Sequence, residues 1–364
     1  MGREARDVND AEAFAQRLRR RIETSGPISI ADYMADAGSF YYATRDPFGV
    51  AGDFITAPEI SQMFGELIGA WCADFWLRMG APNPVSLIEL GPGRGTLMAD
   101  ALRATRHVPG FAEAIRLHLV EQSPVLRKMQ SEKLAAFAPT FHDSIATLPD
   151  GPMLLIANEF LDALPIRQFQ RRQGAWHERM IGLAPDKEAL TFCLDPQPSL
   201  LDKALPAAAD DSILELCPAA LAVAEDIGIR LSEDGGAALF IDYGHVTSAC
   251  GDTFQALRQH QHVSILDEPG NADLTAHVDF AAFAAAADSA VTHGPVTQRQ
   301  FLQSLGIETR EAALLKNASP EQQTTIRESC ERLIDPAAMG TLFKVLALTG
   351  STPPTPAGFG LEPA

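Results

Sequence analysis

Short apolar segments, each followed directly by a polar residue, constrain the fold of this chain most strongly. Continuous apolar runs between helical stretches are typical of strands that are buried on both faces, as in parallel sheets covered by helices. In such sheets ligands bind beyond the carboxyl ends of the strands. The predicted strands are Val85–Leu90, Arg116–Val120, a short strand around Phe141, Met153–Ala157 and Ala237–Ile241. The polar residues at their ends are Glu89, Glu121, Asp143, Asn158 with Glu159, and Asp242.

The rest of the chain predicts a cover, an insertion and a tail around this α/β core. Residues 1–80 read as an N-terminal helical cover, and 81–350 as the core. A stretch at about 166–200 has the pattern of β-hairpins inserted between the fourth and fifth strands. Thr341–Leu348 predicts a final strand, and residues 351–364 predict a flexible tail because they are rich in Pro, Gly and Thr.

Composition excludes several classes of function. The formal net charge of -18 argues against a nucleic-acid binder, which needs clustered Lys and Arg. The five scattered cysteines have no metal-ligand spacing, so we expect no metal site. No apolar stretch is long enough to insert in a membrane, and the N-terminal arginines alternate with acids, unlike a transit peptide. We therefore expect a cytoplasmic protein, and the sequence leaves its oligomeric state open.

The segment Glu89 to Thr96 predicts a cofactor turn between the first strand and a helix. Its spacing is Gly91-x-Gly93-x-Gly95, which differs from the G-x-G-x-x-G pattern of dinucleotide sites. The carboxylate of Glu89 beside the turn suits the ammonium group of a methionine moiety better than a phosphate. We therefore predict binding of S-adenosyl-L-methionine (SAM), with a tight turn that holds no ligand as the alternative.

Two residues extend the predicted cofactor site along the sheet edge. Glu121 ends the second strand, where a carboxylate can accept hydrogen bonds from both ribose hydroxyls. Asp143, with Ser144 beside it, can accept from the adenine amino group, although a capping or turn role suits Asp143 nearly as well.

The segment Asn158 to Pro165 predicts the place where the methyl group is delivered. An amide and two carboxylates, those of Asn158, Glu159 and Asp162, stand where a guanidinium or amine substrate would be held. Methyl transfer depends mainly on alignment, and a nearby carboxylate can guide proton loss from the acceptor nitrogen. Asp242 and Tyr243 follow the fifth strand at the same edge and are further candidate catalytic residues.

Together these motifs resemble the MidA-type family of class I SAM-dependent methyltransferases. This family includes the mitochondrial complex I assembly-factor arginine methyltransferase and bacterial relatives. The resemblance covers roughly residues 15 to 350 and rests on five segments, 52–66, 89–96, 158–165, 242–245 and 272–280.

The resemblance implies a seven-stranded Rossmann-like sheet, mostly parallel, with an antiparallel last strand. It also implies that Gly52 to Glu59 folds over the cofactor, which adds candidate binding residues at Asp53, Thr56, Pro58 and Glu59. The implied substrate is a protein arginine, in a subunit of respiratory complex I or a similar protein.

Three alternatives stay open at this point. A non-catalytic assembly chaperone that binds SAM would share every cofactor residue, and so would a small-molecule methyltransferase. A nicotinamide-dependent oxidoreductase is disfavoured by the glycine spacing.

Overall fold

The computed structural model describes residues 4–44, 55–186, 188–351 and 354–360, and the chain forms two compact units. The first unit comprises Met1–Phe54, Asp162–Leu221 and Ser248–His277, and the second comprises Ile55–Leu161, Ala222–Thr247 and Val278–Ala364. No helix in the described ranges is long and apolar enough to cross a membrane.

The second unit is built on a seven-stranded sheet. In spatial order its strands are Val291–Thr297, Phe343–Thr349, Gly236–His245, Met153–Asn158, Val85–Leu90, Ile115–Val120 and Thr140–His142. All neighbouring pairs are parallel except the two that involve Phe343–Thr349, which is antiparallel to both its neighbours. The two-residue strand Val278–Asp279 pairs with the far end of Gly236–His245. The predicted α/β class, a mostly parallel sheet with an antiparallel last strand, is confirmed.

Helices cover this sheet, and their starts follow local capping chemistry. Ser123 accepts a hydrogen bond from the Leu126 amide, and Pro124 occupies the first turn, as the sequence predicts. Asp279 caps the helix Phe280–Ala286 through the Ala282 amide. The helices are Ala57–Ile60, Gln62–Arg78, Thr96–Thr105, Phe111–Ala114, Pro124–Lys133, Pro218–Asp234 (whose first residues belong to the first unit), Phe280–Ala286, Gln298–Ser304, Ile307–Leu315, Pro320–Ile334 and Met339–Leu342, with 3-10 turns at Ala135–Phe137 and Ile145–Thr147.

The helix Gln62–Arg78 packs closely on the helix that follows the glycine turn. A Cβ atom at Gly69 would stand 2.6 Å from the Cα of Ala101, so only glycine permits this approach. Glu66 on the same helix is 5% exposed and receives hydrogen bonds from Arg103 and Arg310. This packing places 62–78 in the second unit, although the sequence assigned it to a cover over 1–80. The division into cover and core therefore does not follow the two units, and it stays a prediction.

The first unit combines two long helices with antiparallel strands. The helices are Glu4–Ser25 and Ile30–Thr44. One sheet contains Ile28–Ser29, Ala175–Leu183, Arg167–Arg172 and Ile213–Leu216, with Leu190–Leu194 paired to Ala175–Leu183. A smaller sheet contains Gln261–Val263, Gln255–Arg258 and Asp273–Thr275. The predicted hairpins are thus present as antiparallel strands.

Part of the predicted flexible tail is held against the second unit. The indole of Trp71 donates to the Ala357 carbonyl at 3.0 Å, and Arg78 donates to the Thr355 carbonyl at 2.8 Å. The ring of Phe359 lies 5.4 Å from that of Phe301. Pro- and Gly-rich composition does not reveal partners nearly three hundred residues away, and the flexibility of residues 351–364 stays a prediction.

Candidate functional site

The sheet register of the second unit brings the predicted polar strand ends together. Leu90 pairs with Val120 on one side and with Ala157 on the other. The residues that follow these three are Gly91, Glu121 and Asn158, so the glycine turn lies between a carboxylate and an amide. The chain also reverses its direction of winding here, which makes this edge the topological switch point of the sheet.

The glycine turn adopts a backbone that side chains disfavour. Gly91, Gly93 and Gly95 have φ values of +61°, +52° and +72°. A Cβ atom at Gly91 would also lie 3.0 Å from the ring of Phe160. Gly95 then precedes the helix Thr96–Thr105, whose free amides open towards the turn.

Glu89 is a buried carboxyl group with an unsatisfied oxygen. Its side chain is 3% exposed, and its Oε2 receives no hydrogen bond from the described residues. Burial raises the pKa of Glu89 to about 8, and the nearby carboxylate of Glu121 adds to this rise. A cation bound beside it would relieve both effects.

Glu121 is oriented by two donors on the helix that follows it. Its Oε1 accepts from the Ser123 amide at 2.8 Å, and its Oε2 accepts from Gln130 Nε2 at 3.2 Å. Burial raises the pKa of Glu121, and these hydrogen bonds oppose the rise. The carboxylate is therefore fixed in place, as a ligand for a diol should be.

Asn158 and Glu159 lie at the exit of the central strand. Asn158 is 8% exposed; its Nδ2 donates to Glu159 Oε1 at 3.2 Å, while its Oδ1 accepts no hydrogen bond within the described part of the chain. Glu159 has a φ of +51°, which is strained for a residue with a side chain. Its Oε1 also accepts from the Ala57 amide at 3.0 Å, so Glu159 ties the strand exit to segment 55–60.

Three of the four predicted cover residues lie in that segment. Thr56 precedes the short helix Ala57–Ile60, which carries Pro58 in its first turn. Glu59 Oε1 accepts from the hydroxyl of Thr96 at 2.5 Å, and Lys133 donates to the same hydroxyl at 2.7 Å. The segment is thus held beside the glycine turn. The fourth residue, Asp53, lies outside the described residues.

Asp143 and Ser144 follow the edge strand. The side chain of Asp143 is 84% exposed, and its Oδ1 accepts a charged hydrogen bond from Arg127 at 2.6 Å. Ser144 precedes the 3-10 turn Ile145–Thr147 without capping it through its side chain. Contact of these two residues with an adenine base stays a prediction.

Both carboxylate oxygens of Asp242 accept hydrogen bonds from backbone amides. It is 1% exposed; its Oδ2 accepts from the amides of Phe160 and Leu161, and its Oδ1 accepts from that of Tyr243. These bonds hold the segment after Asn158 in place, so Asp242 acts through that segment. The ring of Tyr243 packs edge-on against Phe343 at 5.4 Å. A direct catalytic role for either residue stays a prediction.

Asp162 belongs to the first unit. It is 6% exposed, and its carbonyl oxygen accepts from the Ala276 amide at 3.0 Å. In the same unit the hydroxyl of Tyr42 donates to Asp273 at 2.8 Å, and burial, followed by the charge of Asp273, raises the pKa of Tyr42 well above its usual range. The first unit therefore buries two carboxylates, those of Asp162 and Asp273, of which the sequence singled out Asp162 as a candidate catalytic residue.

The residues of the second unit fit SAM. The unsatisfied Oε2 of Glu89 is suited to the ammonium group, and the fixed carboxylate of Glu121 to the ribose hydroxyls. The described residues contain no group of three or more His, Cys, Asp or Glu that could hold a metal ion.

Sequence reasoning missed two residues at this edge. Gln130 bridges the glycine turn and Glu121, and Lys133 contacts Thr96. Phe160, the aromatic residue of the segment Asn158 to Pro165, packs on Gly91. Gln130 lies on the buried face of its helix, where a polar residue among apolar ones is the only available signal.

Comparisons with known proteins agree with this geometry. A family model described as "Putative S-adenosyl-L-methionine-dependent methyltransferase" matches residues 67–296. The chain is 37% identical to a Danio rerio protein named "Protein arginine methyltransferase NDUFAF7, mitochondrial", over 93% of this chain and 87% of that protein. The Homo sapiens protein of the same name is 33% identical, over 93% and 84%.

The fold is also similar to a solved structure that holds the demethylated cofactor. A protein from Burkholderia thailandensis, whose crystal structure contains S-adenosyl-homocysteine (SAH), superposes with a TM-score of 0.81. The two are 26% identical, and the match covers 97% of this chain and 94% of that one. These findings confirm SAM as the cofactor and methyl transfer as the reaction.

One expectation from the sequence is overturned by the comparisons. The relatives are named mitochondrial proteins, which contradicts the cytoplasmic location inferred from the N-terminal composition. The inference rested on the N-terminal composition and on the lack of a long apolar stretch, and neither observation identifies a compartment.

Proposed function

The chain belongs to the family of SAM-dependent methyltransferases matched over residues 67–296, and from that premise we propose that it methylates an arginine nitrogen of a protein. The observation that carries this proposal is the similarity over 93% of the chain to proteins named protein arginine methyltransferases. We further propose a subunit of respiratory complex I as the acceptor, which rests on the resemblance of the motifs to the complex I assembly-factor methyltransferase.

SAM supplies a methyl group on a positively charged sulfur. In the proposed reaction an arginine nitrogen attacks the methyl carbon, the N–C bond forms as the C–S bond breaks, and the bonding electrons stay on sulfur. One proton leaves the guanidinium, so the acceptor needs a carboxylate or water to take it. Alignment of nitrogen, carbon and sulfur supplies most of the acceleration.

The candidate residues for the acceptor in the second unit are Asn158 and Glu159. The Oδ1 of Asn158 is buried without a donor among the described residues, which suits an N–H group of a guanidinium. The role of Asp162, which is buried in the first unit, is proposed from the sequence alone. Glu159 is held by the Ala57 amide and by Asn158, so we propose that it orients the amide and does not take the proton.

The test uses methyl-labelled SAM and complex I from cells that lack this protein. We expect label on one complex I subunit and a methylated arginine by mass spectrometry. Asp162→Asn should lose transfer while it retains SAH binding by calorimetry. Label on lysine or on a small molecule would refute the proposed acceptor, and an assembly effect that persists in Asp162→Asn without transfer would favour the chaperone alternative.

A further inference from the structure

The carboxamide of Gln130 connects the two halves of the cofactor site in the second unit. Gln130 is fully buried on the helix Pro124–Lys133. Its Nε2 donates to the Gly93 carbonyl at 2.6 Å and to Glu121 Oε2 at 3.2 Å. Both partners are acceptors, so the amide orientation is fixed: an oxygen at that place would face two oxygens with no proton between them.

We propose that Gln130 is a positioning residue, which holds the glycine turn and the carboxylate of Glu121 in the arrangement that the cofactor needs. Gly93 lies in the centre of the turn, at a φ of +52°. Glu121 Oε1 is fixed by the Ser123 amide, but Oε2 has Gln130 as its donor. Without this amide the carboxylate can rotate, and the Gly93 carbonyl loses its hydrogen bond to the helix.

The contacts of Gln130 Nε2 explain why a polar side chain is buried at this position. Its Oε1 is buried and accepts no hydrogen bond from the residues that the structure describes. Such an oxygen is destabilising, and an apolar side chain of similar volume would avoid it. A glutamine at this position is therefore explained by what its Nε2 does for the turn and for Glu121.

The second unit contains a matched control in Gln298. This glutamine is also fully buried, its Nε2 donates to the Leu333 carbonyl at 2.9 Å, and its Oε1 also lacks a donor among the described residues. It lies on the helix Gln298–Ser304, behind the outermost strand of the sheet and away from the glycine turn.

The experiment compares Gln130→Met with Gln298→Met in the full chain. Both should change the melting temperature by similar amounts. Only Gln130→Met should weaken SAH binding measured by calorimetry, by about tenfold or more, because a hydrogen bond to a charged group is lost. With a methyl acceptor, the KM for SAM should rise more than kcat falls. Equal SAH affinity in the two variants would overturn the proposal.

A double-mutant cycle tests whether Gln130 acts through Glu121. In the Glu121→Gln background, Gln130→Met should weaken SAH binding by a smaller factor than in the natural chain. If the losses of SAH affinity in the two single variants multiply in the double variant, Gln130 does not act through Glu121. If Gln130→Met does not fold, Gln130→Leu removes the donor without adding a titratable group, and it should weaken SAH binding in the same way. The readout is the cofactor alone, so failure here is distinguishable from failure of the proposed arginine acceptor.

Discussion

Replacing Glu89 with glutamine should stabilise the cofactor-free chain in a pH-dependent way. Its pKa is raised from 4.5 to about 8, so between these values the folded chain keeps a proton that the unfolded chain has lost. The free energy of unfolding therefore falls as the pH rises through this window. At about 1.4 kcal/mol per pKa unit, the upper limit of this loss is about 5 kcal/mol, and solvent entry and relaxation will reduce it.

Urea denaturation of Glu89→Gln and the natural chain at several pH values measures this effect. The variant should be close to the natural chain near pH 4.5 and more stable near pH 8, by an amount on the order of a few kcal/mol. A difference that is the same at both pH values would refute the account, since a packing effect would not titrate.

We predict that Glu89 supplies the charge opposite the ammonium group, so the same variant should lose cofactor affinity. In the natural chain, SAH binding near pH 7 should release a proton as Glu89 ionises. Calorimetry in buffers of different ionisation enthalpy detects this release, and Glu89→Gln should abolish it. Proton release that persists in the variant would assign it to another group.

Three further changes have defined outcomes. Glu66→Gln weakens the ion pairs that buried Glu66 makes with the half-exposed Arg103 and Arg310. It should lower the free energy of unfolding by about 2 kcal/mol at pH 7, as urea denaturation measures. Asp74→Asn, at an exposed ion pair, should lower it by less than about 0.5 kcal/mol. The pKa of Glu66 is lowered, so its contribution to stability is present at neutral pH. The difference in stability between Glu66→Gln and the natural chain should therefore narrow as the pH falls through that pKa. Gly91→Ala should cost about 1–2 kcal/mol in the left-handed backbone and weaken SAH binding through Phe160, as calorimetry can measure. Asp242→Asn replaces one of the two carboxylate oxygens that accept from backbone amides. It should lower the melting temperature and reduce the free energy of unfolding by about 1–3 kcal/mol.

The apolar pattern was sufficient for six of the seven strands and for the positions of the polar edge, but it did not predict the outermost strand Val291–Thr297. Apolar runs such as Val85–Leu90 and Met153–Asn158 are recognisable because both faces of a central parallel strand are buried. The cap at Ser123 is equally local, since it depends on the next three residues. The residues that end these strands then share one edge by topology alone.

The roles of individual oxygens could not be obtained in the same way, because they depend on partners far away in the chain. Glu159 and Asp242 look alike in the sequence, as carboxylates directly after buried strands. In the structure Glu159 receives the amide of Ala57, 102 positions earlier, and Asp242 receives amides about eighty positions earlier. Both are therefore held by backbone donors, whereas Glu89 is buried with an oxygen that no described donor reaches. A strand end predicts where a carboxylate lies, but only the tertiary hydrogen bonds decide whether it supports the loop or faces a ligand. Because its Oε2 has no donor among the described residues, Glu89 is the strand-end carboxylate of the second unit best placed to respond to a bound cation.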